Sequence, residues 1–109
     1  MVKRAILLVT AGLIAPSAWA AGDAATGAAK ANAVCAACHG PTGDEPKVPN
    51  AAKLAGQHPD YLYKALRDYK SGKRKNAIMA GMAQTLTSQD MQDLAAYYAA
   101  QPGSLRVVR

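Results

Sequence analysis

The chain has 109 residues, half of them hydrophobic, and carries 13 Lys and Arg against 7 Asp and Glu. This length suits one domain rather than two, and the excess of positive charge is too small to indicate a nucleic-acid-binding protein. The one long apolar stretch lies near the N-terminus and is too short to span a bilayer, for which a helix needs about 20 residues.

Residues 1–20 have the pattern of a secretory signal. A basic start precedes an apolar stretch over 5–15, and residues 18–20 form a small-x-small cleavage site. We therefore predict a signal peptide over 1–20, a mature domain over 21–109 and export to the periplasm, with no stable membrane insertion after cleavage.

The predicted mature domain is poor in large side chains. Phe is absent, the only Trp (Trp19) lies in the signal, and five Tyr are the remaining aromatic residues. A domain of this size and composition would build a thin hydrophobic core. We therefore expect a prosthetic group to supply part of the buried apolar volume.

Strand patterns are nearly absent, and three segments have helical periodicity. The first segment, over about 23–35, has Asp23 as a candidate N-cap. The second begins at Pro59, which suits the first helical position, and ends at Gly72. The third begins near Thr87 with a weak capping box.

The second and third helices each carry apolar residues at i, i+3, i+4, i+7 spacing, which predicts that these residues face the core. They are Leu62, Ala65, Leu66 and Tyr69 in the second helix, and Met91, Leu94, Ala95 and Tyr98 in the third. Residues 40–58 and 73–86 are predicted to be loops. The first loop is long for a compact domain, which favours a functional role.

The only cysteines, Cys35 and Cys38, form with His39 a Cys-x-x-Cys-His pentad that is typical of c-type haem attachment. Two thiols at i and i+3 can each form a thioether with one haem vinyl group, and the adjacent imidazole can bind the iron. We expect the second imidazole nitrogen to donate to a backbone carbonyl in the loop around Pro49.

Three alternatives for the two cysteines are weaker. The first alternative is a disulfide, which is the usual state of two cysteines in an exported chain. The second is a thioredoxin-like redox pair, which requires a βαβ context that this sequence lacks. A zinc site needs four ligands, and only His58 remains as a further nitrogen donor. We predict one covalent haem c, because the motif, the signal pattern and the thin core agree.

Four residues are candidates for a sixth iron ligand, namely Met79, Met82, Met91 and His58. Met91 lies among the apolar positions of the third helix and His58 at a helix start, which favours core packing and solvent exposure respectively. Met79 and Met82 share the second predicted loop, and spacing alone does not choose between them. His–Met ligation raises the haem potential, and a closed sixth position suits electron transfer.

The whole mature segment resembles class I c-type cytochromes, particularly small bacterial cytochrome c-553-like proteins and single halves of the related two-haem cytochromes. Beyond the haem motif, the resemblance rests on Lys53-Leu54-Ala55-Gly56-Gln57, Tyr61-Leu62, Met79-x-x-Met82 and Leu94-Ala95-Ala96-Tyr97. It implies an all-α fold of three main helices and loops around one covalent haem.

The resemblance also implies roles for individual residues. In this family the first methionine of the pair binds iron, so the axial ligands would be His39 and Met79, with Met82 as the alternative to Met79. A glycine of the first helix pairs with an aromatic residue of the last, and Gly27 and Tyr97 match. Relatives commonly have proline where this chain has Ala52, so the carbonyl acceptor for the histidine stays unassigned.

The function that the resemblance implies is a periplasmic carrier of single electrons between redox enzymes, without catalytic residues of its own. The alternative is a dedicated haem subunit of a dehydrogenase or oxidase complex. A basic cluster is either a solvated surface or a docking face for acidic patches on redox protein partners. It consists of Lys64, Arg67, Lys70, Lys73, Arg74 and Lys75, with only Asp68 to offset them.

Overall fold

The computed structural model describes residues 3–12 and 22–105, of which 3–12 are exposed and have no regular secondary structure. The predicted cleavage site at 18–20 lies outside the described residues. The described part holds five helices and no strand, which confirms the all-α prediction. They are α1 (Ala24–Val34), α2 (Ala36–His39), α3 (Pro59–Ser71), α4 (Ala77–Gln84) and α5 (Ser88–Ala100). None of these five is long and apolar enough to cross a membrane.

The three longest helices begin where the sequence predicts, and side-chain caps mark the starts of α1 and α5. The Asp23 carboxylate accepts a hydrogen bond from the Thr26 N–H at 2.9 Å and caps α1. At α5, Thr87 and Asp90 form the predicted reciprocal capping box, at 2.9 and 3.0 Å. Gly72 ends α3 with a φ of 84°, in the left-handed region that favours glycine.

Segment 73–86 is not the continuous loop that the sequence predicts, because it contains α4. Asn76 caps this helix, since its side-chain oxygen accepts hydrogen bonds from the N–H groups of Ile78 (3.1 Å) and Met79 (3.0 Å). The loop prediction was wrong because α4 is short and apolar nearly all round, so it has no stripe of helical periodicity. By contrast, the predicted loop over 40–58 contains neither helix nor strand.

The α5 helix lies at the centre of the packing, because it contacts both α1 and α3, while α4 packs on α3. All four predicted core residues of α5 are buried, and Leu62 of α3 is buried with them. The buried cluster consists of Ala31, Leu62, Leu86, Met91, Leu94, Ala95 and Tyr98. The core is therefore small and built chiefly around one face of α5.

The helices α1 and α5 approach closely at Gly27. A Cβ atom there would lie 2.0 Å from the Asp93 carbonyl oxygen and 3.0 Å from the Tyr97 Cβ. The expected pairing of Gly27 with Tyr97 is therefore confirmed, and it explains why a glycine stands inside a helix. The buried Asp93 carboxylate accepts hydrogen bonds from the Asp23 N–H (2.7 Å) and the Gln89 side-chain amide (2.8 Å), which fixes the start of α1 on α5.

Candidate haem-binding site

The cysteine–histidine pentad lies at the junction of α1 and α2. Cys35 is the C-cap of α1, and its carbonyl oxygen accepts hydrogen bonds from the N–H groups of Cys38 (3.2 Å) and His39 (3.0 Å). This single turn brings two thiols and one imidazole onto one short element. Both cysteines are free, as covalent haem attachment requires.

His39 is only 8% exposed, and one hydrogen bond fixes its ring. Its Nδ1 lies 2.8 Å from the carbonyl oxygen of Ala52, which belongs to the loop beyond Pro49. Because a carbonyl can only accept, Nδ1 carries the proton and Nε2 keeps a lone pair for a metal ion. The acceptor comes from the loop around Pro49, as expected, and Ala52 can serve because the bond uses only its backbone.

Hydrogen bonds to two other segments anchor the loop that supplies this carbonyl. The Lys47 N–H donates to the Cys38 carbonyl at 2.8 Å, next to the histidine. Farther away, the Asp44 carboxylate accepts hydrogen bonds from the Ser104 N–H (2.8 Å) and hydroxyl (3.1 Å), and the backbone bond lowers the pKa of Asp44. These contacts hold Ala52 in place opposite the imidazole, so the ring orientation is built into the fold.

Tyr98 of α5 lies beside the first cysteine. Cys35 packs against the buried cluster that contains Tyr98, and burial raises the pKa of both the Cys35 thiol and the Tyr98 hydroxyl. A Cβ at Gly43 would lie 2.8 Å from two carbon atoms of the Tyr98 ring. The helical spacing predicts only a core role for this residue, and the signal that points to more is its hydroxyl, which a core position does not need.

The two candidate methionines both lie on α4. Met79 is half-buried, Met82 is 40% exposed, and their neighbour Ile78 is 72% exposed. The structure places Met91 in the core and His58, exposed, at the N-cap of α3, as the sequence predicts for both. No hydrogen bond of the described residues joins α4 to the pentad, and the pairing of the imidazole with Met79 stays a prediction.

Part of the predicted basic cluster is used in local contacts on α3 and the turn that follows. Lys64 forms an ion pair with Asp68, which lowers the pKa of that carboxyl. The guanidinium of Arg74 lies 6.0 Å from the centre of the Tyr61 ring and 5.0 Å from that of Tyr69, and it donates to the Tyr61 hydroxyl at 3.1 Å. These cations stabilise the surface of α3 as well as carrying charge.

Known proteins match this chain over most of its length. A family model described as "Cytochrome C oxidase, cbb3-type, subunit III" matches residues 22–97. Cytochrome c4 of Thiocapsa roseopersicina is 57% identical over 81 residues, which are 74% of this chain and 41% of that protein. Cytochrome c-554(548) of Halomonas halodenitrificans is 44% identical over 86 residues, 74% of this chain and 99% of that protein.

A solved structure agrees. The structure of reduced recombinant cytochrome c4 from Pseudomonas stutzeri superposes with a TM-score of 0.70 at 46% identity, covering 78% of this chain and 48% of that one. The chain belongs to the class I c-type cytochromes. Within them it is similar to one half of a cytochrome c4, since it spans about half the length of the cytochrome c4 relatives it matches.

The cofactor of this family is covalently attached haem c, and the residues present fit it. Free thiols stand at i and i+3. The imidazole beside them keeps a metal-binding nitrogen, because the Ala52 carbonyl engages the other one. The resemblance and the haem prediction made from the sequence are therefore confirmed.

Proposed function

We propose that this protein is a periplasmic single-haem cytochrome that carries one electron at a time between redox enzymes. The observation that supports this best is the buried His39, whose ring is fixed by the Ala52 carbonyl beside two free thiols. When bound, haem c supplies a one-electron iron couple. The chain attaches, orients and shields this group, and the proposal assigns no catalytic residue.

In this proposal the haem is attached through thioethers of Cys35 and Cys38, after a signal peptide over 1–20 has directed the chain to the periplasm. Mass spectrometry of the exported, acid-denatured protein should show one haem retained on a chain that begins at residue 21. A haem-free chain with the two cysteines in a disulfide would overturn the attachment. A haem-loaded chain that still carries residues 1–20 would overturn only the cleavage.

The iron ligands in the proposal are His39 through Nε2 and Met79 through its thioether. Met79 is preferred to Met82 because it is half-buried, and because the Asn76 cap fixes its backbone N–H.

The matched variants Met79→Ala and Met82→Ala test this choice. Loss of the Met79 thioether should give a high-spin spectrum, admit carbon monoxide and lower the reduction potential, because methionine ligation raises it. Met82→Ala should keep the low-spin spectrum. If the Met82 variant becomes high-spin and the Met79 variant does not, the assignment is reversed.

We further propose that the exposed end of the basic cluster meets an acidic patch on a redox partner. Lys73 and Lys75 are exposed and directly precede the Asn76 cap of α4, so they lie next in the chain to the methionine helix. Complementary charge raises the association rate of brief encounters. Screening should weaken it as salt rises, because the Debye length is about 8–10 Å at moderate salt.

The electron-transfer rate with a redox partner, measured across a salt series, tests this surface. Lys75→Glu should lower the rate at low salt by more than Lys47→Glu, which makes the same charge change at an exposed residue of the 40–58 loop. Equal losses in the two variants would indicate a net-charge effect. A rate that responds to neither salt nor Lys75→Glu would leave the cluster as a solvated surface.

The alternative function is that of a dedicated haem subunit of a dehydrogenase or oxidase complex. The observation that favours it is the 72% exposed Ile78 on α4, which a permanent interface would bury. Affinity purification of the tagged protein from its own periplasm discriminates between the two. A free carrier elutes alone, whereas a subunit elutes at fixed stoichiometry with its enzyme.

A further inference from the structure

The Tyr98 side chain buries a hydroxyl group, and this costs free energy that packing of the ring in the core does not require. The residue is 4% exposed, and its hydroxyl makes no hydrogen bond of ordinary geometry within the described part of the chain. Burial, together with the nearby Cys35 thiol, raises the pKa of this hydroxyl. A buried polar group without a partner costs about 1–3 kcal/mol. Phenylalanine would fill the same space without that cost, so the hydroxyl calls for a partner of its own.

Other tyrosine hydroxyls show how this fold ordinarily satisfies the group. The adjacent Tyr97 donates to the Pro41 carbonyl at 3.1 Å, and Tyr63 shares a hydrogen bond with the Ser88 hydroxyl at 2.8 Å. The rings of Tyr97 and Tyr98 pack edge to face, with 5.0 Å between their centres. Two neighbouring tyrosines on one helix therefore differ sharply in how their hydroxyls are partnered.

The surroundings of Tyr98 are those of the haem attachment site. Its carbonyl accepts a hydrogen bond from the Gly56 N–H at 3.0 Å, and its ring fills the space beside Gly43. Both glycines belong to the loop that supplies the Ala52 carbonyl, and Cys35 packs against the buried cluster that contains Tyr98. The Tyr98 ring thus lies against the loop that orients the imidazole, and its hydroxyl lies near the first thioether position.

A tyrosine phenol is protonated at neutral pH, and burial raises the pKa of Tyr98 further, so the hydroxyl is available as a donor. We propose that the Tyr98 hydroxyl donates a hydrogen bond to the covalently bound haem group and thereby favours its reduced state. This inference rests on the proposed attachment at Cys35. Two acceptors share the required chemistry, namely the Cys35 thioether sulfur and a haem propionate oxygen.

The direction of the effect follows from charge. A donor places the positive end of its dipole at an electron-rich acceptor, and this stabilises the form that holds the additional electron. Tyr98 is accordingly a positioning and tuning residue rather than an iron ligand. Removing its hydroxyl should lower the reduction potential while leaving the axial ligands in place.

Potentiometric titration of the Tyr98→Phe holoprotein tests the proposal, with Tyr97→Phe as the matched control. At fixed potential, Tyr98→Phe should raise the oxidised-to-reduced ratio about threefold, which is about 30 mV at 59 mV per tenfold for one electron. Its low-spin spectrum should be kept. Tyr97→Phe, which loses only the bond to the Pro41 carbonyl, should leave the potential unchanged.

The two acceptors differ in their pH and vibrational responses. A hydrogen-bond donor lowers the pKa of a carboxylate. With a propionate acceptor, Tyr98→Phe therefore shifts the pH dependence of the reduction potential to higher pH. With the sulfur acceptor, that range is unchanged and the C–S stretching band of the thioether shifts in the resonance Raman spectrum. Either response supports the hydrogen bond.

The proposal is overturned if the potential, the pH range and the C–S band all stay at wild-type values in a haem-loaded Tyr98→Phe protein. Equal shifts in both tyrosine variants overturn it too. If Tyr98→Phe does not fold, redox-difference infrared spectra of the wild type with ring-labelled tyrosine test the proposal instead. A tyrosine C–O band that does not change between the oxidised and reduced protein contradicts the hydrogen bond. A protein without covalent haem would instead contradict the proposed function.

Discussion

The α1–α5 crossing and the α4 side of the molecule are stabilised in different ways. At the crossing, backbone meets backbone at Gly27, and the buried Asp93 has two hydrogen-bond donors. On the α4 side, Met82 is 40% exposed, and α4 packs only on α3 among its principal contacts. The first region is complete from protein atoms alone, whereas we infer that the second obtains its missing contacts from the haem. The cofactor then contributes to stability because the unfolded chain cannot hold it in place.

The largest effect is expected at the crossing. Gly27→Ala would place a Cβ 2.0 Å from the Asp93 carbonyl oxygen, so α1 must move away from α5. We expect the free energy of unfolding of the holoprotein to fall by about 3 kcal/mol. Denaturant unfolding measures it.

The control is Gly81→Ala on α4, where an added Cβ meets no protein atom within 4 Å. Alanine should stabilise that helix by up to about 1 kcal/mol. If the two substitutions had equal effects, the crossing would not be the tighter of the two regions.

A smaller loss is expected when the buried carboxylate at the crossing is removed. Asp93→Ala leaves the Asp23 N–H and the Gln89 amide without their acceptor, so the free energy of unfolding should fall by about 2 kcal/mol. Asp93→Asn should recover part of the loss, because its amide oxygen still accepts. In the same urea titrations, the exposed Glu45→Ala should change stability by less than about 0.5 kcal/mol. If Asp93→Ala lowered the free energy of unfolding no more than Glu45→Ala does, the buried carboxylate would not be needed for stability at the crossing.

The difference between the α1–α5 crossing and the α4 side also explains which helices could be predicted from the sequence. The ends of α1, α3 and α5 were predictable because local chemistry marks them, as with Asp23, Gly72 and Thr87. The α4 helix was missed because it lacks a polar face, although the Asn76 cap is a local signal that could have indicated it. A helix that packs partly on a cofactor does not need the stripe that packing on protein alone would impose.

At the site, the pentad was readable because its chemistry depends on spacing alone. The Ala52 carbonyl could be traced only to its loop, because every residue carries a carbonyl and only tertiary structure selects one. The hydroxyl of Tyr98 is a signal in the sequence, but its surroundings could not be predicted, since they depend on which segments meet around it.

The smallest effect is expected from acid. Backbone hydrogen bonds at helix starts lower the pKa values of Asp23 and Asp90 below the ordinary 3.8. A carboxylate with a lowered folded pKa stabilises the fold above its unfolded pKa, and this contribution is lost as pH falls through the folded pKa. Stability should therefore decrease as pH drops below about 4. Unfolding titrations should show a shallower decrease in Asp90→Asn, and an unchanged decrease would exclude the α5 cap as its source.

The central claim is that a covalent low-spin haem completes the α4 side and serves as a one-electron couple. Potentiometric titration of the purified holoprotein, followed by its absorption spectrum, tests this most directly. We predict a single reversible transition that fits one electron, with a low-spin spectrum in both oxidation states. A high-spin spectrum in both states, or the lack of any reversible transition, would contradict the claim.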